Sequence, residues 1–132
     1  MTYLDPLCII YLENLGVNRK GGFMKRKQSI EHTHLLVLSL LAGEDMYGYQ
    51  IIQVIASRSD NTFNLNEGTL YPILHTMEKE GLLESYRGES DSGRERKYYR
   101  ITATGKAALL IRLEEWKAFT AAVQGVLQED LR

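Results

Sequence analysis

The sequence holds a single cysteine, Cys8, and two prolines, Pro6 and Pro72, in 132 residues. One cysteine cannot close an internal disulfide, and a zinc site built from several cysteines is excluded with it. No apolar run approaches the ~20 residues that cross a bilayer. No basic cluster precedes the short apolar stretch Leu7–Leu12, so no secretory signal is read there and the chain is expected in the cytoplasm. Charge of one sign is lacking too: 16 Lys and Arg against 17 Asp and Glu leave a formal net of −1. A basic coat over the whole surface is thereby excluded, whereas a local basic patch is not. Catalytic constellations are also missing. His32 and His34 stand two apart, which on a helix sends them to different faces. Lys20-Gly21-Gly22 lacks the P-loop spacing, and no Gly-x-Ser-x-Gly elbow occurs. No enzyme, metal site or cofactor is read from the chain.

What is present suits one domain, since domains cluster near ~100–150 residues. Hydrophobic residues at 44% and charged residues at 25% exclude a disordered or low-complexity chain. Residues 1–23 stand apart, with Pro6, Gly16, Gly21 and Gly22. Two readings of them remain side by side. One is a helix over residues 3–15. The other is an extension upstream of the true start, because Lys20-Gly21-Gly22 can be encoded by AAAGGAGG, a ribosome-binding sequence just before a start codon at Met24.

From Ser29 the pattern turns helical. Ser29 suits the N-cap and Gly43 the C-cap of a first helix. Its apolar positions 30, 35, 36, 37, 38, 40 and 41 make more than one stripe, so it is expected to be covered on several sides. A second helix begins at Tyr47-Gly48, with 47, 51, 54 and 55 at helical spacing, and Ser59-Asp60-Asn61 breaks it. The third runs over 66–81, from Asn66 as N-cap to Gly81 as stop, on a core stripe of Leu70, Ile73, Leu74 and Met77. Pro72, six residues past the cap, has no N–H to give residue 68 and presses its ring on that carbonyl. Such broken local rules mark functional or strained sites.

The period then changes toward 2. Leu82–Arg87 and Lys97–Ile101 read as strands around the turn cluster Gly88–Gly93, a hairpin over 82–101. Of Tyr98 and Tyr99, one is expected to pack inward and the other to offer its hydroxyl to a phosphate. Arg94, Arg96, Lys97, Arg100 and Lys106 stand against one acid, Glu95, a local net of +4 that suits phosphate contacts. The plainer reading is a strand edge guarded by charge. Thr102-Ala103-Thr104-Gly105 caps a last helix that reaches about Gln128. On it Leu109, Leu113, Trp116, Thr120, Val123 and Leu127 step by 4, 3, 4, 3, 4, a heptad seam widened by Phe119 and Val126. Such a helix can pack back on its own domain or pair with a second copy, and pairing is expected, because the other helices already supply a core. Three helices and a hairpin spell a mainly α winged helix-turn-helix, with the third helix for the major groove and the hairpin for the neighbouring backbone or minor groove. The expected division is 1–23 extension, 24–101 winged helix-turn-helix domain and 102–132 dimerisation helix.

Four motifs sharpen this reading: Tyr47-Gly-Tyr-Gln-Ile51, Gly68-Thr-Leu-Tyr-Pro-Ile-Leu74, Glu78-Lys-Glu-Gly-Leu-Leu83 and Arg96-Lys-Tyr-Tyr-Arg-Ile-Thr-Ala-Thr-Gly105. In this order and spacing the chain resembles the PadR family of transcriptional regulators over about residues 29–128. Its one helix after the wing resembles the short subfamily. The resemblance implies a dimeric repressor of bacterial promoters, whose partner is double-stranded DNA at a pseudo-palindromic operator. Half-sites are expected ~10 bp apart or a multiple of that. It implies that Asn66–Tyr71 open the recognition helix and that Arg94–Tyr98 make the wing contact.

The DNA-binding candidates are thus Asn66, Gly68, Thr69 and Tyr71, then His75 and Lys79 further along, and Arg94, Arg96, Lys97 and Tyr98 on the wing. Tyr47 and Gly48 join them, since a helix N-terminus can hold a phosphate. Gly68 would permit close backbone approach and room for the Pro72 ring. Simpler roles stand beside these: capping and packing for Tyr47 and Gly48, a half-buried junction aromatic for Tyr71, a plain surface histidine for His75. Dimerisation falls to Leu109, Leu113, Trp116, Val123 and Leu127, together with the first helix. Some short members of the family bind flat aromatic drugs between two tryptophans in a central pore. The resemblance puts Trp116 at that place, with Phe119 and Thr120 beside it, and stacking on indole would add ~1 kcal/mol beyond burial. Otherwise Trp116 only fills an interface. The alternative to the whole reading is a winged helix that binds protein rather than specific DNA.

Overall fold

A computed structural model describes residues 26–127 of the chain. Both readings of residues 1–23 lie outside the described residues. The chain divides into two compact units, Met1–Thr33 and His34–Arg132. Of the first, only the opening turns of one helix are described. The element order is α1 (Arg26–Gly43), β1 (Met46–Tyr47), α2 (Gly48–Arg58), α3 (Glu67–Lys79), β2 (Leu83–Glu89), β3 (Glu95–Ile101) and α4 (Ala103–Leu127). The fold is the expected one, mostly helical with a small antiparallel sheet.

The boundaries differ in instructive ways. Ser29 does not cap α1 but lies inside it, because the helix already includes Arg26. Lys27 and Gln28 are good helix formers and nothing between them and Ser29 stops the turn. Tyr47 does not belong to the second helix. It ends β1 and serves as the N-cap residue of α2, in extended conformation at φ −91 and ψ 163. The sheet therefore has three strands, in the order β1-β3-β2. A two-residue strand is too short to show a period, so only its partner reveals it. The hairpin strands also run further than expected, to Glu89 and from Glu95. The tip is closed by the Gly93 N–H donating to Ser90 O at 2.8 Å and the Ser90 N–H donating to Arg94 O at 2.9 Å. Gly93 there takes a φ of +80, a conformation costly to any residue with a Cβ.

The third helix follows the sequence closely. The Asn66 side chain accepts from the Thr69 N–H at 2.9 Å, satisfying one of the free amides of the first turn. Gly81, at φ +78, turns the chain out of the helix. Leu70, Ile73, Leu74 and Met77 are all buried. Buried with them in the core are Val37, Leu38 and Leu41 from α1, Ile51 and Ile55 from α2, and Leu83, Tyr99 and Ile101 from the sheet. Full burial of each such aliphatic chain contributes about 1.5–3 kcal/mol.

The start of α4 is pinned to this core. The Thr102 hydroxyl donates to Gly81 O at 2.6 Å and accepts from the Gly105 N–H at 3.0 Å, so one side chain ties the end of α3 to the start of α4. A Cβ at Gly105 would fall on the Leu82 carbonyl oxygen, which is why the helix can come so close there. Gly105 and Leu109 are the buried residues of α4. Leu109, first in the heptad seam, is therefore a residue of the domain's own core rather than of a free face. Beyond it Trp116, Phe119, Val123, Val126 and Leu127 remain exposed.

Candidate nucleic-acid interface

The pleat of the sheet sorts the wing's side chains into two faces. Register pairs Leu83 with Ile101, Ser85 with Tyr99 and Arg87 with Lys97 on one face. Met46 joins Tyr99 there. This face packs on the helices: Tyr99 is buried, and the Ser85 hydroxyl donates to Glu78 of α3 at 2.6 Å. The opposite face carries Glu84 with Arg100, Tyr86 with Tyr98 and Gly88 with Arg96, and Tyr47 of β1 lies next to Tyr98. The two tyrosines of the wing thus do divide, with Tyr99 inside and Tyr98 outside. Burial pushes the Tyr99 hydroxyl above its ordinary pKa, and Glu78 adds to the effect.

Three tyrosines form a ladder across the outer face. Tyr86 stacks on Tyr98 at 5.7 Å, and Tyr47 meets Tyr98 edge-on at 5.5 Å. Gly88 leaves room for the Tyr98 ring, whose nearest carbon would lie 3.0 Å from any Cβ placed there. The Tyr98 hydroxyl donates to Glu89 O at 3.2 Å, so it is engaged with its own wing. The Arg96 guanidinium lies over Tyr47 at 5.1 Å, within cation–π range. Its Nε is buried and has no hydrogen-bond partner among the described residues.

The run of positive charge read from the sequence is not uniform. Arg100 is spent at the base of the wing. Its guanidinium lies 3.2 Å from Glu84 and 3.5 Å from Asp45, above the Tyr86 ring. The Tyr86 hydroxyl donates to the same Asp45 carboxylate at 2.6 Å. That hydrogen bond holds the Tyr86 pKa above 10.0, its ordinary value, with partial burial and the Asp45 charge adding to it. Arg87 pairs with Glu95 at 3.5 Å. Arg94, Arg96, Lys97 and Lys79, by contrast, form no ion pair among the described residues. The wing and the end of α3 therefore keep cations without carboxylate partners among the described residues, with Arg96 over Tyr47 and Lys97 over Tyr99, while the wing base is neutralised. Asp45, Glu84 and Tyr86 were not anticipated; they are distant in sequence and meet only through the strand register.

The solvent face of α3 presents Gly68, Thr69, Tyr71, His75 and Lys79, all exposed, with Glu67, Pro72 and Thr76 among them. Asn66 caps the helix with its side-chain oxygen. Gly48 is buried, and the Tyr71 ring lies directly over it. On α4, Trp116 and Phe119 sit 6.2 Å apart on the exposed side. The Thr120 hydroxyl beside them donates back to Trp116 O at 2.9 Å. Among the described residues no cluster of three His, Cys, Asp or Glu could hold a metal ion, and no helix is long and apolar enough to cross a membrane.

A three-helix core, a β-hairpin wing that carries Arg94, Arg96 and Lys97, and a third helix with its polar face uncovered define the winged helix-turn-helix class of DNA-binding domains. Comparison with known proteins places the chain within that class. Residues 37–110 match the transcriptional regulator PadR-like family, and the chain belongs to it. A PadR-like transcriptional regulator of Bacillus cereus is similar in structure, with a TM-score of 0.69 and 31% identity over 76% of this chain and 97% of its own. A PadR family regulator of Clostridium difficile shares 35% identity over 76% of this chain and 99% of its own, with a TM-score of 0.59. A transcriptional regulator of Mycobacterium tuberculosis is 39% identical over 75 residues, 57% of this chain and 66% of its own. The chain is a transcriptional regulator of this family, and DNA binding is implied by that membership.

Proposed function

We propose that the chain is a dimeric repressor that inserts α3 into the major groove and lays the wing tip along the neighbouring backbone or minor groove. The observation that carries this is the separation of paired from unpaired cations. Among the described residues Arg94, Arg96, Lys97 and Lys79 have no ion-pair partner on the side offered to a duplex, whereas Arg100 is neutralised away from it. Thr69, Tyr71 and His75 are the side chains offered to base edges or phosphates, with Gly68 for close approach. Gly48 serves by fitting Tyr71, and Asn66, Tyr47 and Tyr98 serve by holding α3 and the wing in shape. The stretch 24–101 serves as the DNA-binding unit, and the stretch 102–132, which includes α4, serves for pairing.

Dimerisation rests on the apolar face of α4, where the half-buried Leu113 and the exposed Trp116, Val123 and Leu127 continue the seam beyond Leu109. A patch of that kind on a helix is covered when a second copy supplies its own. An aromatic effector stacked between the Trp116 side chains of two copies, with Phe119 and Thr120 nearby, would act only if it binds two arrangements of the dimer unequally. The deciding experiment is fluorescence anisotropy of labelled DNA from upstream of the protein's own gene, in excess unrelated competitor. Saturable binding that survives competitor supports the reading, and the same assay then screens aromatic compounds for release. Binding that competitor abolishes, repeated on sequences selected from a random pool, leaves a winged helix that serves a protein partner.

A further inference from the structure

Tyr71 is an unusual side chain for its place. It stands on the exposed side of α3 at 41% exposure, yet its orientation is set by a neighbouring helix. The ring lies across the first residue of α2. An ideal Cβ at Gly48 would sit 2.6 Å from the Tyr71 hydroxyl and 2.8 Å from two ring carbons. Real Cβ atoms do not come so close, so the ring can occupy this position only because residue 48 has no side chain. The glycine is not needed for its backbone: Gly48 does not lie in the left-handed region, and alanine would be tolerated there on conformational grounds. Its main constraint is space, and what fills that space is the tip of Tyr71.

We infer that Gly48 is a positioning residue for DNA recognition: it admits the Tyr71 ring against α2 and thereby fixes where the hydroxyl is presented to the duplex. The inference rests on the reading of α3 as the recognition helix. A side chain at 48 would not disturb the core, because the group it meets is the far end of a half-exposed side chain that can swing outward. It would change where the Tyr71 hydroxyl points, and a recognition group displaced by about an ångström loses its hydrogen bond. Gly48 and Tyr71 should therefore act as one unit, with the effect of each substitution depending on the other.

The test is a double-mutant cycle on the full chain. A duplex is first selected by the parent protein from a random-sequence pool, and affinity is measured for the parent, Gly48→Ala, Tyr71→Ala and the double variant. Gly48→Ala alone is expected to weaken binding about tenfold, the scale of coupling between touching residues, with a melting temperature close to the parent's. In the Tyr71→Ala background the same change is expected to cost nothing further. The chain is also labelled with 3-fluorotyrosine, and the Tyr71 fluorine resonance is assigned by its loss in Tyr71→Phe. Gly48→Ala should shift that resonance and leave those of Tyr86 and Tyr99 in place. An equal loss of affinity in both backgrounds, or an unmoved Tyr71 resonance, overturns the inference. A parent protein that selects no sequence overturns the DNA reading itself, and this is seen before any variant is made.

Discussion

Arg96 and Arg100 stand on the same outer face of the same strand, two positions on either side of Tyr98, and each lies over a tyrosine ring, yet they differ in ion pairing. Arg96 forms no ion pair among the described residues, and Arg100 is held between Glu84 and Asp45. Each lysine or arginine that neutralises a phosphate releases counterions and steepens the salt dependence of binding. Arg96→Ala and Lys97→Ala are therefore each expected to reduce the slope of log affinity against log salt by about 1. Arg100→Ala is expected to leave the slope unchanged, and anisotropy titrations at several salt concentrations separate the two outcomes. Gly105 makes a contrasting point, because the atom its Cβ would meet is backbone rather than a movable side-chain tip. Gly105→Ala is expected to destabilise the fold by about 1–3 kcal/mol, the range for overpacking, as read from urea unfolding.

At the scale of elements, α3 and the wing are shaped by different means. The helix is specified locally: Asn66 caps it, its stripe is buried, and Gly81 ends it, with Pro72 tolerated on the exposed side. The wing is held by contacts across strands, chiefly the tyrosine ladder and the Tyr86–Asp45–Arg100 cluster at its base. This cluster gives a pH signature. Tyr86 donates its proton to Asp45, so the folded state favours the protonated phenol and its pKa lies above 10.0. The stability from that bond is fully present below the unfolded pKa and is lost as pH rises through the folded one. Tyr86→Phe is accordingly expected to be less stable than the parent at neutral pH, with the difference closing above pH 10. Urea midpoints followed by circular dichroism across that range measure it.

For the whole molecule, the long exposed side of α4 is the feature a monomer does not explain. Trp116 at 42% and Phe119 at 62% exposure, followed by Val123, Val126 and Leu127, give an apolar face along the second half of the helix. If a second copy covers it, Val123→Glu places a charge without a partner in the interface, which costs several kcal/mol. The dimer dissociation constant is expected to rise by about a hundredfold or more, with the helical content of the winged domain retained. Sedimentation equilibrium of the parent and the variant checks this. Loss of the dimer should also lower affinity for an operator with two half-sites far more than for a single half-site.

Much of this architecture was readable in one dimension because it is built from local rules. The periodicity of α3, its Asn66 cap, the Gly81 stop, the change to period 2 at the hairpin and the four motifs of the family all lie in contiguous residues. Strand β1 was not readable, since two residues carry no period and Met46 and Tyr47 become a strand only beside Tyr98 and Tyr99. The state of the charges was not readable either. A count of basic residues gave Arg94, Arg96, Lys97 and Arg100 equal standing, but pairing depends on which residues the register brings opposite one another. Leu109 appeared in a continuous seam until the packing of α4 against the sheet drew it into the core. The same holds for Gly48: its neighbour in sequence is Tyr49, and the ring that requires it to be glycine arrives from Tyr71 on another helix. Local preference can be summed along a chain, whereas proximity between distant residues exists only once the chain has folded.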